Sequence, residues 1–247
     1  MKACLLIHGI GGIPDELFLI KKTLEAMGFY AHTITLPGHD TSVADFRKTF
    51  FKDWYAFAEK EYLKLQSQYK SVAIVGFSLG SAITLKLAEN HKPTAICPIA
   101  PPIYSLWQRA LAQKSPKLLL MPLYQYIRPI IYKPRKQQSR EFVPVKGYEG
   151  ITAIPQLLSL FKELPRVREN LAQITCPALF INDLHDTFTL PYECVTVARE
   201  ISSEHIEFKI LHIQEKFTSH HMVTIHVETR DTVATAIADF LGRVIEP

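Results

Sequence analysis

Ser78 stands between two glycines in Gly76-Phe77-Ser78-Leu79-Gly80, a G-x-S-x-G spacing. Val72 to Val75 before it are apolar β-formers, and Ile83, Leu85, Leu87 and Ala88 after it suit a helix. A strand that turns abruptly into a helix needs residues without a Cβ where the two backbones cross, and it throws the residue between them outward. A serine held this way has its hydroxyl clear of the sheet and its own peptide at a helix N-terminus, placed to attack an electrophile. The pentapeptide by itself is a weak signal; its position between a buried-type strand and a helix carries the reading.

A neutral hydroxyl is a poor nucleophile, so a base must take its proton and an acid must orient that base. His8, His39, His185, His212, His220, His221 and His226 all fall in or near loops that follow strands. Only the last three come after the final strand, where the chain order Ser, Asp, His places a base. Ser219-His220-His221 occupies the loop before the last helix, and His226 is expected inside that helix. For the acid, the strand from Pro177 to Ile181 opens into Asn182-Asp183-Leu184-His185-Asp186. Asp183 at the strand end suits turn closure, whereas Asp186 lies farther into the loop and has the reach to a neighbouring one; position favours Asp186 and leaves Asp183 open. Negative charge on an attacked carbonyl oxygen needs preorganised N–H donors. Leu79, just after the serine, offers one, and the loop His8-Gly9-Ile10-Gly11-Gly12 is the source of a second. His8 itself reads as structural.

These loops imply elements on either side. Ala3 to Ile7, Tyr30 to Leu36, the stretch before Ser78, Thr94 to Ile99, Ala178 to Asn182 and Ile206 to His212 read as strands. Between them lie a helix opened by Pro14 and stopped by Gly28, a long amphipathic helix from Phe51 to Tyr69, the serine helix, a helix from about Pro191 to Ile201, and a final one from about Val223 to Phe240. Strands alternating with helices predict an α/β fold with a mostly parallel central sheet covered on both faces, and function collected at the carboxyl ends of the strands. The grammar breaks between Pro101 and Pro165, which hold nine of the sixteen prolines, scattered aromatics and no clean strand. This stretch reads as an insertion within one domain spanning 1–247.

The 247 residues are 47% hydrophobic, ample for one sizeable core. A net charge of +4 is too mild to imply nucleic acid. Cys4, Cys97, Cys176 and Cys194 sit singly in apolar surroundings, without metal-ligand spacing, and read as reduced core thiols. The apolar opening stops at His8-Gly9 with no small-residue cleavage site, and no stretch approaches the roughly 20 apolar residues of a membrane span. A cytoplasmic protein is expected.

With His8-Gly9 after the first strand, G-x-S-x-G, and a late Asp and His, the chain from Leu5 to Phe240 resembles the α/β-hydrolases, and among them small bacterial carboxylesterases and monoacylglycerol lipases. Asp53-Trp54 to Leu87 and Ala100-Pro101-Pro102-Ile103-Tyr104 are similar to that group in particular. The resemblance implies the α/β-hydrolase fold with a helical cap at about 101–165. It implies an acid nine residues after the proline that begins its strand, which from Pro177 is Asp186. The base it implies is His221, with His220 standing where the family usually has glycine; Asp183 likewise stands where many relatives have Gly. The second oxyanion donor it implies is the backbone N–H of Ile10. The activity it implies is ester hydrolysis through an acyl-serine, with no metal or organic cofactor.

The insertion bears on substrate. From Pro101 to Arg140 there are eight basic residues and no Asp or Glu, leaving 20 basic against 24 acidic elsewhere. Tyr104 and Trp107 head the interleaved aromatic and aliphatic residues and are the expected substrate-binding side chains. A cap apolar beneath and basic outside suits short to medium acyl esters, monoacylglycerols among them, and contact with an anionic lipid surface. Two other readings are an acyl-CoA thioesterase, whose phosphates the basic residues would hold, and a non-catalytic ligand-binding protein on the same fold.

Overall fold

The computed structural model describes residues 2–134, 136–144, 147–148 and 150–245. Arg135, one of the eight basic residues, lies outside them. In chain order the elements are β1 (Lys2–Ile7), α1 (Phe18–Ala26), β2 (Tyr30–Ile34), α2 (Val43–Phe46), α3 (Phe51–Gln68), β3 (Ser71–Phe77), α4 (Leu79–His91) and β4 (Ala95–Ile99). Then come α5 (Leu106–Ala112), α6 (Met121–Ile127), β5 (Ile130–Tyr132), α7 (Gln137–Phe142), β6 (Ile151–Ala153) and α8 (Ile154–Glu169). The chain closes with β7 (Ala178–Asp183), α9 (Pro191–Glu200), β8 (Ile206–Leu211) and α10 (Arg230–Val244).

Six strands form one parallel sheet in the order β2-β1-β3-β4-β7-β8. Side chains alternate across a strand, and here both sides are apolar, as a sheet covered on both faces requires. Leu5, Ile7, Val72, Ile74 and Phe180 join one core cluster with residues of α3, α4, α8 and α9. Cys4, Leu6, Ala73, Val75 and Ile181 join the other, with α1 and α10. All four cysteines are unpaired; Cys4, Cys97 and Cys194 are buried, and burial raises every thiol, Cys176 to about 12.

Two stretches differ from the sequence expectation. The segment 101–165, expected to hold no strand, contains the three-residue antiparallel pair β5–β6, and α8 runs through Pro165 to Glu169. The last helix, expected from about Val223, begins at Arg230. Val223, Thr224, Ile225, Val227 and Thr229 are β-branched and weak helix formers. The Thr229 hydroxyl donates to the Val223 carbonyl at 2.8 Å, and His226 Nδ1 accepts the Glu228 N–H at 3.2 Å, closing turns in place of a helix.

Candidate active site

The sharp turn between β3 and α4 follows from contacts that only glycine permits. A Cβ on Gly76 would lie 2.2 Å from the Gly80 carbonyl oxygen, and one on Gly80 would lie 2.1 Å from the carbonyl oxygen of Ile7 at the end of β1. The crossing drives Ser78 to φ 53° and ψ −113°, a conformation a non-glycine residue holds only when its surroundings impose it. The Ser78 N–H donates to the Ile99 carbonyl at 2.9 Å, which ties the turn to the end of β4.

From this turn the Ser78 hydroxyl lies 2.9 Å from His221 Nε2. His221 Nδ1 lies 2.7 Å from Asp186 Oδ2. A carboxylate accepts only, so Nδ1 carries the ring proton and Nε2 is left to accept from the serine. Asp186 is held in turn by the N–H groups of Phe188 and Thr189 and by the Thr189 hydroxyl, at 2.7, 3.0 and 2.7 Å. The rings of Phe77 and Phe188 pack 5.2 and 4.8 Å from the imidazole.

His220 and Asp183, the other candidates, form a separate pair. His220 Nδ1 faces Asp183 Oδ1 at 3.2 Å and its Nε2 faces the Glu215 carbonyl at 2.7 Å. Both are acceptors, so the ring completes both bonds only as an imidazolium. His220 adopts φ 56°, a left-handed conformation that glycine takes without strain. Asp183 also accepts the N–H groups of His185 and Ile213, at 2.8 and 2.7 Å, and so closes its turn. His226 bonds Glu215, and its ring is fully buried outside α10.

The loop after β1 curls over a carboxyl group. Gly9 N–H donates to Glu16 Oε2 at 3.1 Å, and a Cβ on Gly12 would fall 2.3 Å from both Glu16 oxygens. Burial raises the Glu16 carboxyl to about 8, so at neutral pH it is mostly protonated. His8 bonds to the backbone of Gly9 and Leu36 and not to Ser78. Its Nε2 accepts the Leu36 N–H at 3.1 Å, and burial lowers the ring to about 3.

A cavity of about 180 Å³ opens at Ser78, lined by Ile10, Phe46, Ile151, Leu157 and Phe188 as well as His221. Tyr104 and Trp107 do not line it. The Tyr104 N–H donates to Glu193 at 2.9 Å, and Trp107 is 58% exposed. A buried ion pair that sequence reading missed holds this stretch: Arg109 of α5 bonds both carboxylate oxygens of Glu193 at 2.8 and 3.0 Å. Arg109 also donates to the carbonyl of Phe188, two residues beyond Asp186. Glu193 additionally accepts the Ile103 and Leu190 N–H groups. Its place three residues after Leu190, at the start of a helix, is a capping signal, but nothing in the sequence shows that an arginine 84 residues earlier is its partner. Among the described residues no group of three His, Cys, Asp or Glu side chains is placed to hold a metal ion.

Comparison with known proteins places this geometry. Residues 4–235 match the model of the alpha/beta hydrolase family. The chain belongs to that family. It is 29% identical over 224 residues to the thermostable monoacylglycerol lipase of Bacillus sp. (strain H-257), covering 90% of this chain and 83% of that one. It is 25% identical over 246 residues to a carboxylesterase of Bacillus subtilis (strain 168), covering 98% and 93%. Among solved structures, one from work on the metagenome-derived lipolytic enzymes LipS and LipT superimposes with a TM-score of 0.81 at 20% identity, covering 98% and 94%, a likeness of fold. The six-stranded parallel sheet with its sharp strand-to-helix turn is thus the alpha/beta hydrolase fold.

Proposed function

We propose that this alpha/beta hydrolase cleaves carboxylic esters of short acyl chains through an acyl-serine intermediate, with Ser78 as nucleophile, His221 as base and Asp186 as its orienting acid. The observation that carries this is the unbroken hydrogen-bonded chain from Ser78 through His221 to Asp186 beside an apolar cavity. His221 takes the serine proton as Ser78 attacks, then gives it to the departing alcohol. Water, deprotonated by the same ring, releases the acid. The first N–H groups of a helix have no intrahelical partner, so that of Leu79 meets the developing oxyanion, and that of Ile10 meets it from the facing loop.

Substrate class rests on size and on the relatives. A cavity of about 150 Å³ accepts a benzene ring, so the 180 Å³ here suits an acyl chain of a few carbons. The names of the two Bacillus relatives support carboxylic esters, monoacylglycerols among them. Segment 101–165 acts as the cap. Its outer face carries Leu123, Tyr126, Ile127 and Tyr132, 62 to 81% exposed, beside Lys117 and Arg128, which suits contact with an anionic lipid surface. No helix among the described residues is long and apolar enough to cross a membrane. The unpaired buried thiols support a reducing, cytoplasmic setting.

The test is intact mass after a fluorophosphonate. One adduct mapping to Ser78 and lost in Ser78→Ala is expected, together with turnover of esters in a chain-length series. An unlabelled Ser78 returns the chain to the ligand-binding reading, and faster turnover of acyl-CoA than of the matched acyl ester returns it to the thioesterase reading.

A further inference from the structure

Beside the cavity at Ser78, and sharing Ile10, Gly11, Glu16, Ile151, Thr152 and Met222 with it, lies a wider trough of about 660 Å³. Its charged lining, among the described residues, consists of Lys133, Lys136, Lys216 and Glu16. None of the three lysines has an acidic partner among the described residues. Glu16 is buried and, with its carboxyl raised to about 8, offsets little of their charge at neutral pH. Lys133 and Lys136 come from the insertion, whereas Lys216 comes from the loop that leads to His221. All three are exposed, and two separate stretches of chain thus bring positive charge to one open trough that borders the cavity at the nucleophile.

We infer that the trough binds an anionic group of the phosphate class on the leaving-alcohol side of the ester. Polarity sorts the two halves of such a substrate. The acyl chain enters the apolar cavity, where Phe46, Ile151, Leu157 and Phe188 have no charge to offer, and the phosphorylated alcohol lies among the lysines, whose ammonium groups meet its oxygens as point charges. The overall reaction remains hydrolysis: ester and water give the carboxylic acid and the phosphorylated alcohol, the alcohol oxygen taking its proton from His221. This inference rests on the hydrolase reading above and adds to it the class of leaving group.

The experiment compares kcat/KM for 1-butyrylglycerol, 1-butyrylglycerol 3-phosphate and butyryl-CoA in the wild type, in Lys133→Glu/Lys216→Glu and in Lys64→Glu, an exposed change of charge on α3 far from the trough. The ratio of phosphorylated to neutral glyceride is expected to exceed one in the wild type and to shrink as salt screens the charges. In the double variant it is expected to fall at least about tenfold, about 1.4 kcal/mol, and in Lys64→Glu to stay at the wild-type value. A lysine-dependent preference for butyryl-CoA supports the anionic site and assigns its source to a nucleotide thioester. A wild-type ratio of one or below, or a double variant indistinguishable from Lys64→Glu, overturns the inference while leaving ester hydrolysis in place. No turnover of any of the three, with Ser78 unlabelled by fluorophosphonate, overturns the hydrolase reading and this one with it.

Discussion

His220 and His221 are neighbours in the chain with opposite surroundings. His221 points one nitrogen at a hydroxyl and the other at Asp186, while both nitrogens of His220 are spent on acceptors that hold a turn. His221→Ala is therefore expected to lower kcat on the order of 10⁴-fold. His220→Ala is expected to cost about 1 to 3 kcal/mol of stability by leaving Asp183 short of a donor, with kcat within tenfold of wild type. Steady-state rates and thermal unfolding on the two variants check this, and a large kcat loss confined to His220→Ala contradicts it. Glu16 gives a pH signature. Folded, it keeps its proton up to about pH 8, whereas its ordinary value is 4.5. Its contribution is present in full below 4.5 and is lost as pH rises through 8. Unfolding by urea at pH 5 and pH 8 is expected to show Glu16→Gln gaining up to a few kcal/mol on the wild type at the higher pH, and an equal difference at both pH values contradicts the assignment. Ser78 was legible because the glycines that force its turn sit two residues away. Glu16 was not, since Pro14-Asp15-Glu16 reads as an ordinary acidic helix start, and only the loop folded over it turns the carboxyl inward.

At the scale of elements, α5 is fastened to the loop that carries Asp186. Arg109 reaches both Glu193 and the Phe188 carbonyl, and the Phe188 N–H is one of the three donors that hold the Asp186 carboxylate. Removing one member of a buried pair costs about 3 to 5 kcal/mol. In a chain of this size that is roughly 6 to 20 °C in Tm. Arg109→Met is expected to show such a drop together with a lower kcat, and Arg109→Met/Glu193→Gln to regain part of both. A Tm within 2 °C or so of wild type in the single variant contradicts the fastening. Element types followed from local pattern, so strands and most helices stood where apolar periodicity put them. The start of α10 did not, because a run rich in Val, Thr and Ile between His221 and Arg230 is apolar enough to look helical and is instead pinned by Thr229 and His226. The direction in which α5 leans was likewise beyond reach, being decided by a partner on α9.

Over the whole molecule, a sheet apolar on both faces gathers three residues, distant in sequence, at the carboxyl ends of β3, β7 and β8, and this arrangement followed from the alternation of strands and helices. The insertion was legible only as a change of composition, since its short strands pair with each other rather than with the central sheet. The same two-sided burial has a consequence for recovery from heat. Cys4 and Cys97 are locked in place while the chain is folded, but melting frees all four thiols at once. Above neutral pH they ionise and cross-link under air, turning a reversible transition into a one-way loss. Cooling after a brief melt with a thiol reductant is expected to return most of the activity, and without it to leave covalent dimers visible on a non-reducing gel. Recovery of this hydrolase after a melt would then be limited by oxygen rather than by refolding.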